Sequence, residues 1–304
     1  MPIVTIRGIR RASVVHMTTG DVYGSPGTDS LARDWCRLMQ SDYLQNSESP
    51  FRERLQERWY VENSVHEEAL ARMYHAIEQK LRVGLLYGDS GTGKSMLLHV
   101  LSQQARRTPR EVVALDVAGL AEQGLLWYLA TELRLAPNQS DSLFGLWRKI
   151  EDQLLGLRLS RTQTVLILDH LDQAAPEATR IIDRLIRLDR EPDRMLTMIV
   201  AVRDTAATIA SQPAIALADV VAPVTALDRQ ATHQHVEQLM QLAGCQTATF
   251  DDDALDYLYE RTLGNPRALN RICDLALLVA INENRSSVDS DIVQVAAAEL
   301  RQPV

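Results

Sequence analysis

The sequence predicts an α/β fold: a mostly parallel sheet sandwiched by helices and followed by an all-helical subdomain. Three observations carry this expectation. Apolar runs alternate with helix-period segments from Val83 to Val224. The first run, Val83 to Tyr87, leads through the glycine-rich stretch Gly88 to Ser95 into an apolar helical face. From about Asp228 onward only helix-period segments remain. Strands separated by helices need crossover connections, and these place helices on both faces of a parallel sheet.

Taken in order, Met1 to about Pro50 mixes arginines with Ser, Thr, Gly and Pro without sustained periodicity, apart from a short helical pattern in LARDWCRLMQ. Residues 1–50 therefore read as a loosely attached or disordered arm. Ser64 followed by Glu67 matches a capping box, and Leu70, Met73, Ile77 and Leu81 continue at helical spacing, so a helix leads into the first strand. The helix after the glycine loop ends near Arg107 to Pro109. Val112 to Val117 is a second strand, followed by helical patterns over Leu120 to Leu133 and Ser142 to Leu157. Val165 to Leu168 is a third strand, Pro176 to Leu188 an amphipathic helix, Leu196 to Val202 a fourth strand and Asp219 to Val224 a fifth. Residues 51–227 form the predicted core. Residues 228–304 form a helical lid, with helices over Gln230 to Ala243, Asp252 to Thr262, Asn265 to Asn282 and Ser290 to Arg301.

Composition sets bounds on function. A chain of 304 residues with 46% hydrophobic and 24% charged residues can bury a full globular core. The net charge of -8 argues against a surface built to coat nucleic acid, and confines any DNA contact to a local patch such as Arg7, Arg10 and Arg11 in the arm. Cys36, Cys245 and Cys273 lack metal-site spacing, and no secretory leader is legible, which points to the cytoplasm. No apolar stretch approaches the ~20 residues of a membrane span.

Gly88, Asp89, Ser90, Gly91, Thr92, Gly93, Lys94, Ser95 and Met96 form the candidate nucleotide-binding stretch. Phosphates are gripped by backbone N–H groups, so glycines are needed where a Cβ would block the approach or forbid positive φ. Lys94 supplies a charge for the β and γ phosphates. Ser95 offers a hydroxyl to Mg²⁺, and the following helix presents its positive end.

Thr164 to Asp172, TVLILDHLD, places Asp169 at a strand tip, where a carboxylate can hold Mg²⁺. One strand, Val112 to Val117, lies in sequence between the loop strand and this one, an arrangement of ATPases that insert an extra strand between those two. His170 stands in the position expected to polarise the attacking water, with Asp172 as an alternative; both also fit as ordinary polar residues at a strand end. In Leu263, Gly264, Asn265, Pro266, Arg267, the Asn caps a helix and Pro opens it. Arg267 is thereby set in the first turn, where it can reach the γ phosphate. Arg203 and Asp204, just past the fourth strand, are further candidates to meet that phosphate.

With these residues assembled, the chain resembles the AAA ATPases of the general-secretion-pathway A type, related to origin-recognition and transposition-helper ATPases. The resemblance rests on HEEALARMYHAIEQ, GDSGTGKS, VLILD, LMQLAG, FDDDALDYL and GNPRALNRICDLALLVA, over about Pro50 to Leu300. It implies a P-loop NTPase sheet with an AAA lid and the cofactors ATP and Mg²⁺. It also implies phosphate and magnesium roles for Gly88, Gly91, Gly93, Lys94 and Ser95, a magnesium role for Asp169 and a sensor role for Arg267. Two departures stand out: His170 replaces the family's glutamate, and Val220 stands where the family's arginine after the fourth strand is expected. An arginine delivered to a neighbour's nucleotide is worth orders of magnitude in rate. The expectation is therefore a slow Mg-dependent ATPase whose core and lid move relative to one another, or alternatively a non-hydrolysing switch that recruits a protein or DNA partner. The sequence names no partner and leaves homo-oligomerisation open.

Overall fold

The structure is a computed structural model that describes residues 49–189, 194–203, 216–245, 249–283 and 285–300. The arm with Arg7, Arg10 and Arg11, its LARDWCRLMQ pattern and Asp204 lie outside the described residues.

Five parallel strands, β1 (Val83–Gly88), β2 (Glu111–Asp116), β3 (Thr164–Asp169), β4 (Leu196–Arg203) and β5 (Val220–Pro223), form one sheet in the order β2-β3-β4-β1-β5. The strand inserted between β1 and β3 is thus β4. β2, which precedes β3 in sequence, lies at the sheet edge, so sequence order does not give the spatial insertion. The register sets Gly88 opposite Arg203 and Asp116 opposite Asp169. Four strand ends therefore meet at the carboxyl edge, where open α/β sheets bind ligands.

Both faces of the strands are apolar, as a sheet covered on both sides requires. On one face Val165, Ile167, Ile199 and Ala201 pack under α1 (Ser64–Glu78) and α2 (Lys94–Arg106) through Met73, Ile77, Leu97 and Leu101. On the other, Leu166, Leu168, Met198 and Val200 meet α3 (Glu122–Glu132), α4 (Leu143–Leu159) and α5 (Pro176–Leu188) through Leu129, Ile150 and Ile182. The N-cap of α1 is Asn63, whose side chain accepts from the His66 N–H; Ser64 is already helical, and Leu81 lies beyond the helix end. The shift has a plain cause: Asn is as good a cap as Ser, and here its amide also holds the His66 ring.

The C-terminal portion is helical: α6 (Arg229–Leu242), α7 (Asp252–Thr262), α8 (Pro266–Asn282) and α9 (Ser290–Glu299). Asp228, Asp251, Asn265 and Asp289 cap them, each accepting from the backbone three residues on. The apolar core of this lid also takes in two residues from ahead of the sheet, Phe51 and Val61. The Phe51 ring meets Phe250 edge-on at 6.0 Å. Residues 49–61 thus run as a strap that ties the start of the described chain to its end. Among the described residues no helix is long and apolar enough to cross a membrane.

Candidate nucleotide site

β1 ends at Gly88 and α2 begins at Lys94, with the glycine loop between them. Its tight geometry explains its composition. A Cβ on Gly88 would stand 2.1 Å from the Val224 carbonyl oxygen, Gly91 has φ +85 with Asn265 Oδ1 2.5 Å from its would-be Cβ, and Gly93 has φ +100. Only glycine meets these demands without strain. The resulting cradle is open where side chains would otherwise project. Lys94 Nζ donates to the Gly88 and Asp89 carbonyls, both at 2.7 Å, and Thr92 Oγ1 donates to the Asp89 carbonyl at 3.0 Å. Burial pushes the Lys94 ammonium below its ordinary pKa, while the carboxylates of Asp169, Asp172 and Asp89 pull it back up. A partly dehydrated cation held by neutral carbonyls is poised to transfer to stronger, anionic acceptors.

Beneath the loop stands a residue that the motifs did not assign. His66 Nε2 lies 3.0 Å from the Thr92 carbonyl, and its Nδ1 is 2.8 Å from Asn63 Nδ2. An amide nitrogen only donates, so Nδ1 accepts and Nε2 carries the proton that reaches Thr92. The ring stacks on Tyr60 with centroids 6.1 Å apart, and it fills the space where a Cβ on Gly93 would sit, 2.9 Å away. His66 opens the HEEALARMYHAIEQ segment, but nothing in its spacing marks it as a support for the loop.

The carboxyl edge gathers the remaining candidates. Asp169 ends β3, its side chain largely buried, and its Oδ1 accepts from the His170 N–H at 2.8 Å. His170 has φ +54, and its Nδ1 lies 3.0 Å from Asp116 Oδ1 and 3.7 Å from Asp169 Oδ2. Asp172 accepts from the Arg203 backbone at 3.3 Å, and its Oδ2 lies 3.6 Å from Arg203 Nε. The lid closes from the other side. Asn265 Nδ2 donates to the Ser90 carbonyl at 2.7 Å, the Arg267 backbone N–H donates to the Gly91 carbonyl at 3.2 Å, and an Arg267 terminal nitrogen donates to Ser90 Oγ at 3.3 Å. Arg267 Nε is also 2.8 Å from the Glu53 carboxylate on the strap. Val220 opens β5 opposite Gly84, with its side chain packed toward the sheet core.

Together these residues surround a cavity of about 370 Å³. Its lining includes Ser90, Gly91, Gly93, Lys94, Ser95, Met96, Asp169, His170, Asp172, Arg203 and Arg267, so most of the residues singled out in the sequence converge on one space. Gly88, Asp89 and Thr92 shape the loop from behind it. The strap and lid supply a second set of lining residues that sequence reasoning missed, among them Trp59, Tyr60, Val61, His235, Leu239 and Asn270. No motif flags them, because their shared location depends on the strap packing into the lid.

Residues 77–209 match the family model described as AAA domain. The chain is 26% identical over 268 residues to the general secretion pathway protein A of Aeromonas hydrophila, a match covering 86% of this chain and 48% of that protein. The chain thus spans about half the length of this curated relative. Among solved structures, its fold is similar to Cdc6p from Pyrobaculum aerophilum, with a TM-score of 0.67 and 17% identity over 83% of this chain and 70% of that one. It is also similar to the Aeropyrum pernix ORC1 protein in complex with DNA (TM-score 0.61, 16% identity, 82% and 71% covered). A third similar structure is the Thermotoga maritima RuvB Holliday junction branch migration motor (TM-score 0.57, 14% identity, 83% and 74% covered). Residues 77–209 thus match the AAA domain model, and the fold that carries the glycine loop is similar to the folds of these three solved structures.

Proposed function

We propose that the chain binds ATP with Mg²⁺ between its glycine loop and its lid, hydrolyses it slowly, and couples the state of the γ phosphate to the seating of the lid. The observation that carries this reading is the direct hydrogen bonding of the lid loop, through Asn265 and Arg267, to Ser90 and Gly91 of the phosphate cradle. A phosphate entering the cradle competes with these loop acceptors for the Asn265 and Arg267 donors, so occupancy and lid position are linked.

The donor set suits a hard cation: the Ser95 hydroxyl and the Asp169 carboxylate are oxygen ligands, and Mg²⁺ typically takes only one or two protein ligands beside phosphate oxygens and water. When bound, Mg²⁺ supplies charge neutralisation at the β and γ phosphate oxygens. Lys94 exchanges its two carbonyl acceptors for phosphate oxygens, and Arg267 exchanges Glu53 for the γ phosphate. Arg203, held by Asp172 at the tip of β4, is the second cationic group at this edge. Water attacks the γ phosphorus in line and the bond to the β-phosphate oxygen breaks, with the water's proton passing to solvent or to His170.

One observation favours the alternative, a switch that binds without turning over and recruits a protein or DNA partner. His170 is tethered to Asp116, and no glutamate follows Asp169 to polarise water. Titration with a fluorescent ATP analogue tests binding: Lys94→Ala should weaken Mg-ATP by at least ~1.5 kcal/mol, the lower range for a charged hydrogen bond. Unchanged affinity in the folded variant defeats the reading. Phosphate release under Mg²⁺ then separates slow hydrolase from pure switch.

A further inference from the structure

The amino edge of the sheet, opposite the nucleotide cavity, concentrates positive charge on a chain whose net charge is -8. Lys80 just past α1, Arg158 and Arg161 around the end of α4, and Arg194 ahead of β4 line an open cleft of about 630 Å³. Among the described residues no aspartate or glutamate lines it. Arg158 lies 3.5 Å from Asp189, whose other oxygen accepts from the Met195 and Leu196 N–H groups. Lys80 Nζ meets the Met195 thioether at 3.3 Å, and among the described residues neither Lys80, Arg161 nor Arg194 has a carboxylate within ion-pair reach. Helix carbonyl ends favour nearby cations, which accounts for Lys80 and Arg158. It accounts for neither Arg194 nor the apolar groups set among the charges.

Leu159, the last residue of α4, lines the same cleft and is 76% exposed, and Leu155 one turn earlier is 52% exposed. Leu155 also lines a second cavity of about 300 Å³ with Leu154, Leu188 and Leu196, and this cavity shares Arg158 and Met195 with the first. Its other acids are already paired, Glu151 with Arg184 at 3.5 Å and Asp152 with Arg148 at 3.3 Å. Cations without counter-charges beside exposed leucines fit a partner that is anionic and apolar at once. A nucleic acid or a free polyphosphate would satisfy the cations and leave both leucines in water. The boundary of a bilayer takes both, because long cationic side chains reach the phosphates while leucine tips enter the acyl region.

We propose that the amino edge is a docking surface for an anionic lipid bilayer, with Lys80, Arg158, Arg161 and Arg194 on lipid phosphates and Leu155 and Leu159 in the interface. β3 sets the orientation: Thr164 at its start lines the apolar cavity of this edge, and Asp169 at its end lines the nucleotide cavity. The strand holds them about 17 Å apart. The docked protein therefore presents its nucleotide cleft and lid away from the bilayer.

The experiment is co-sedimentation of the full chain with vesicles of phosphatidylcholine alone and of phosphatidylcholine mixed equally with phosphatidylglycerol. Binding should require phosphatidylglycerol and be lost at about 1 M salt, where charges more than about 3 Å apart are screened. Lys80→Ala combined with Arg161→Ala should weaken it by about ten-fold or more, since each surface cation contributes about five-fold. Leu159→Ser should weaken it by about ten-fold and leave the salt dependence in place. Phe144→Ser removes an equally exposed side chain from the first turn of α4 and should change nothing. All four positions are exposed, so the variants should keep the wild-type circular dichroism spectrum. Binding indifferent to phosphatidylglycerol overturns the proposal, and so does a double variant that binds like the wild type, which would place the contact on other basic residues. Equal losses in Phe144→Ser and Leu159→Ser also overturn it. A short DNA duplex whose binding depends on Lys80 and Arg161 but not on Leu159 gives the edge to nucleic acid and overturns the lipid reading.

Discussion

Asn265 Nδ2 donates to the Ser90 carbonyl at 2.7 Å, joining the first turn of a lid helix to the phosphate cradle across 175 residues of sequence. The same side chain caps α8, its Oδ1 accepting from the Ala268 N–H at 3.2 Å. Asn265 thus carries two roles that substitution can separate. Asn265→Ala removes both, and should cost about 1 kcal/mol from the lost cap while shrinking the thermal shift produced by Mg-ATP. Asn265→Ser retains a capping oxygen and drops the amide donor, so the unliganded melting temperature should recover while the nucleotide-dependent shift stays small. Equal nucleotide-dependent shifts in wild type and both variants would show that the contact does not report the cradle.

Turnover should fall below the common enzyme range of about 1 to 1000 per second. His170 stands where a glutamate would serve, and its ring is held by Asp116 at 3.0 Å. His170→Glu alone sets a second carboxylate beside Asp116, and the repulsion should limit any gain. His170→Glu with Asp116→Asn removes that repulsion and should raise kcat further. Asp169→Ala should depress whatever rate exists, with a steeper dependence on Mg²⁺ concentration. Steady-state phosphate release decides the matter: a fast wild type slowed by His170→Glu would make His170 itself the water-orienting group.

Two buried imidazoles give the fold a pH dependence. Burial drives His66 below its ordinary value, opposed by its bond to Thr92, and burial drives His235 from 6.5 to about 4. Because the folded-state values are lowered, the unfolded chain takes up protons first as pH falls. The contribution is fully present above about pH 6.5 and drains away toward the folded value, amounting to roughly 3 kcal/mol for His235. Urea unfolding at pH 7.5 and pH 5 should show the loss, and His235→Phe should flatten the slope over that window. A slope identical in variant and wild type would assign the dependence to other groups.

Gly264 has φ +72, and a Cβ there would stand 1.8 Å from the Leu227 carbonyl oxygen, an atom of the backbone segment that enters the lid. Gly264→Ala should therefore destabilise the fold by more than about 1 kcal/mol. It should also weaken ATP binding, since Leu227 N–H donates to the Gly264 carbonyl just ahead of Asn265. Circular dichroism melts with parallel titrations check both outcomes.

Much of this architecture was legible in the sequence because local signals agreed. Pro176 opens α5 and the apolar period ends at Leu188, and Asp251 ahead of an apolar stripe sets the start of α7, so those helices run as the sequence indicates. The glycine loop between β1 and α2 was legible because its backbone demands are written in contiguous order. What escaped was non-local. The placement of β4 between β1 and β3 depends on pairings such as Leu166 with Met198, which no periodicity encodes. The strap residues Phe51 and Val61 find their partners on helices nearly two hundred positions away, so their apolar character alone could not say which core they join. His66 was missed for a related reason: its value lies in the space under Gly93.

The strap has one further consequence, which concerns the order in which the molecule comes into being. Residues 49–61 leave the ribosome before the sheet and the glycine loop, and their packing partners, α6 to α9, leave after them. The glycine loop and its sheet can therefore take shape on a nascent chain before the cavity beside them has its lid wall. The cavity is completed only when the lid helices dock on a segment that has waited while the whole sheet was made.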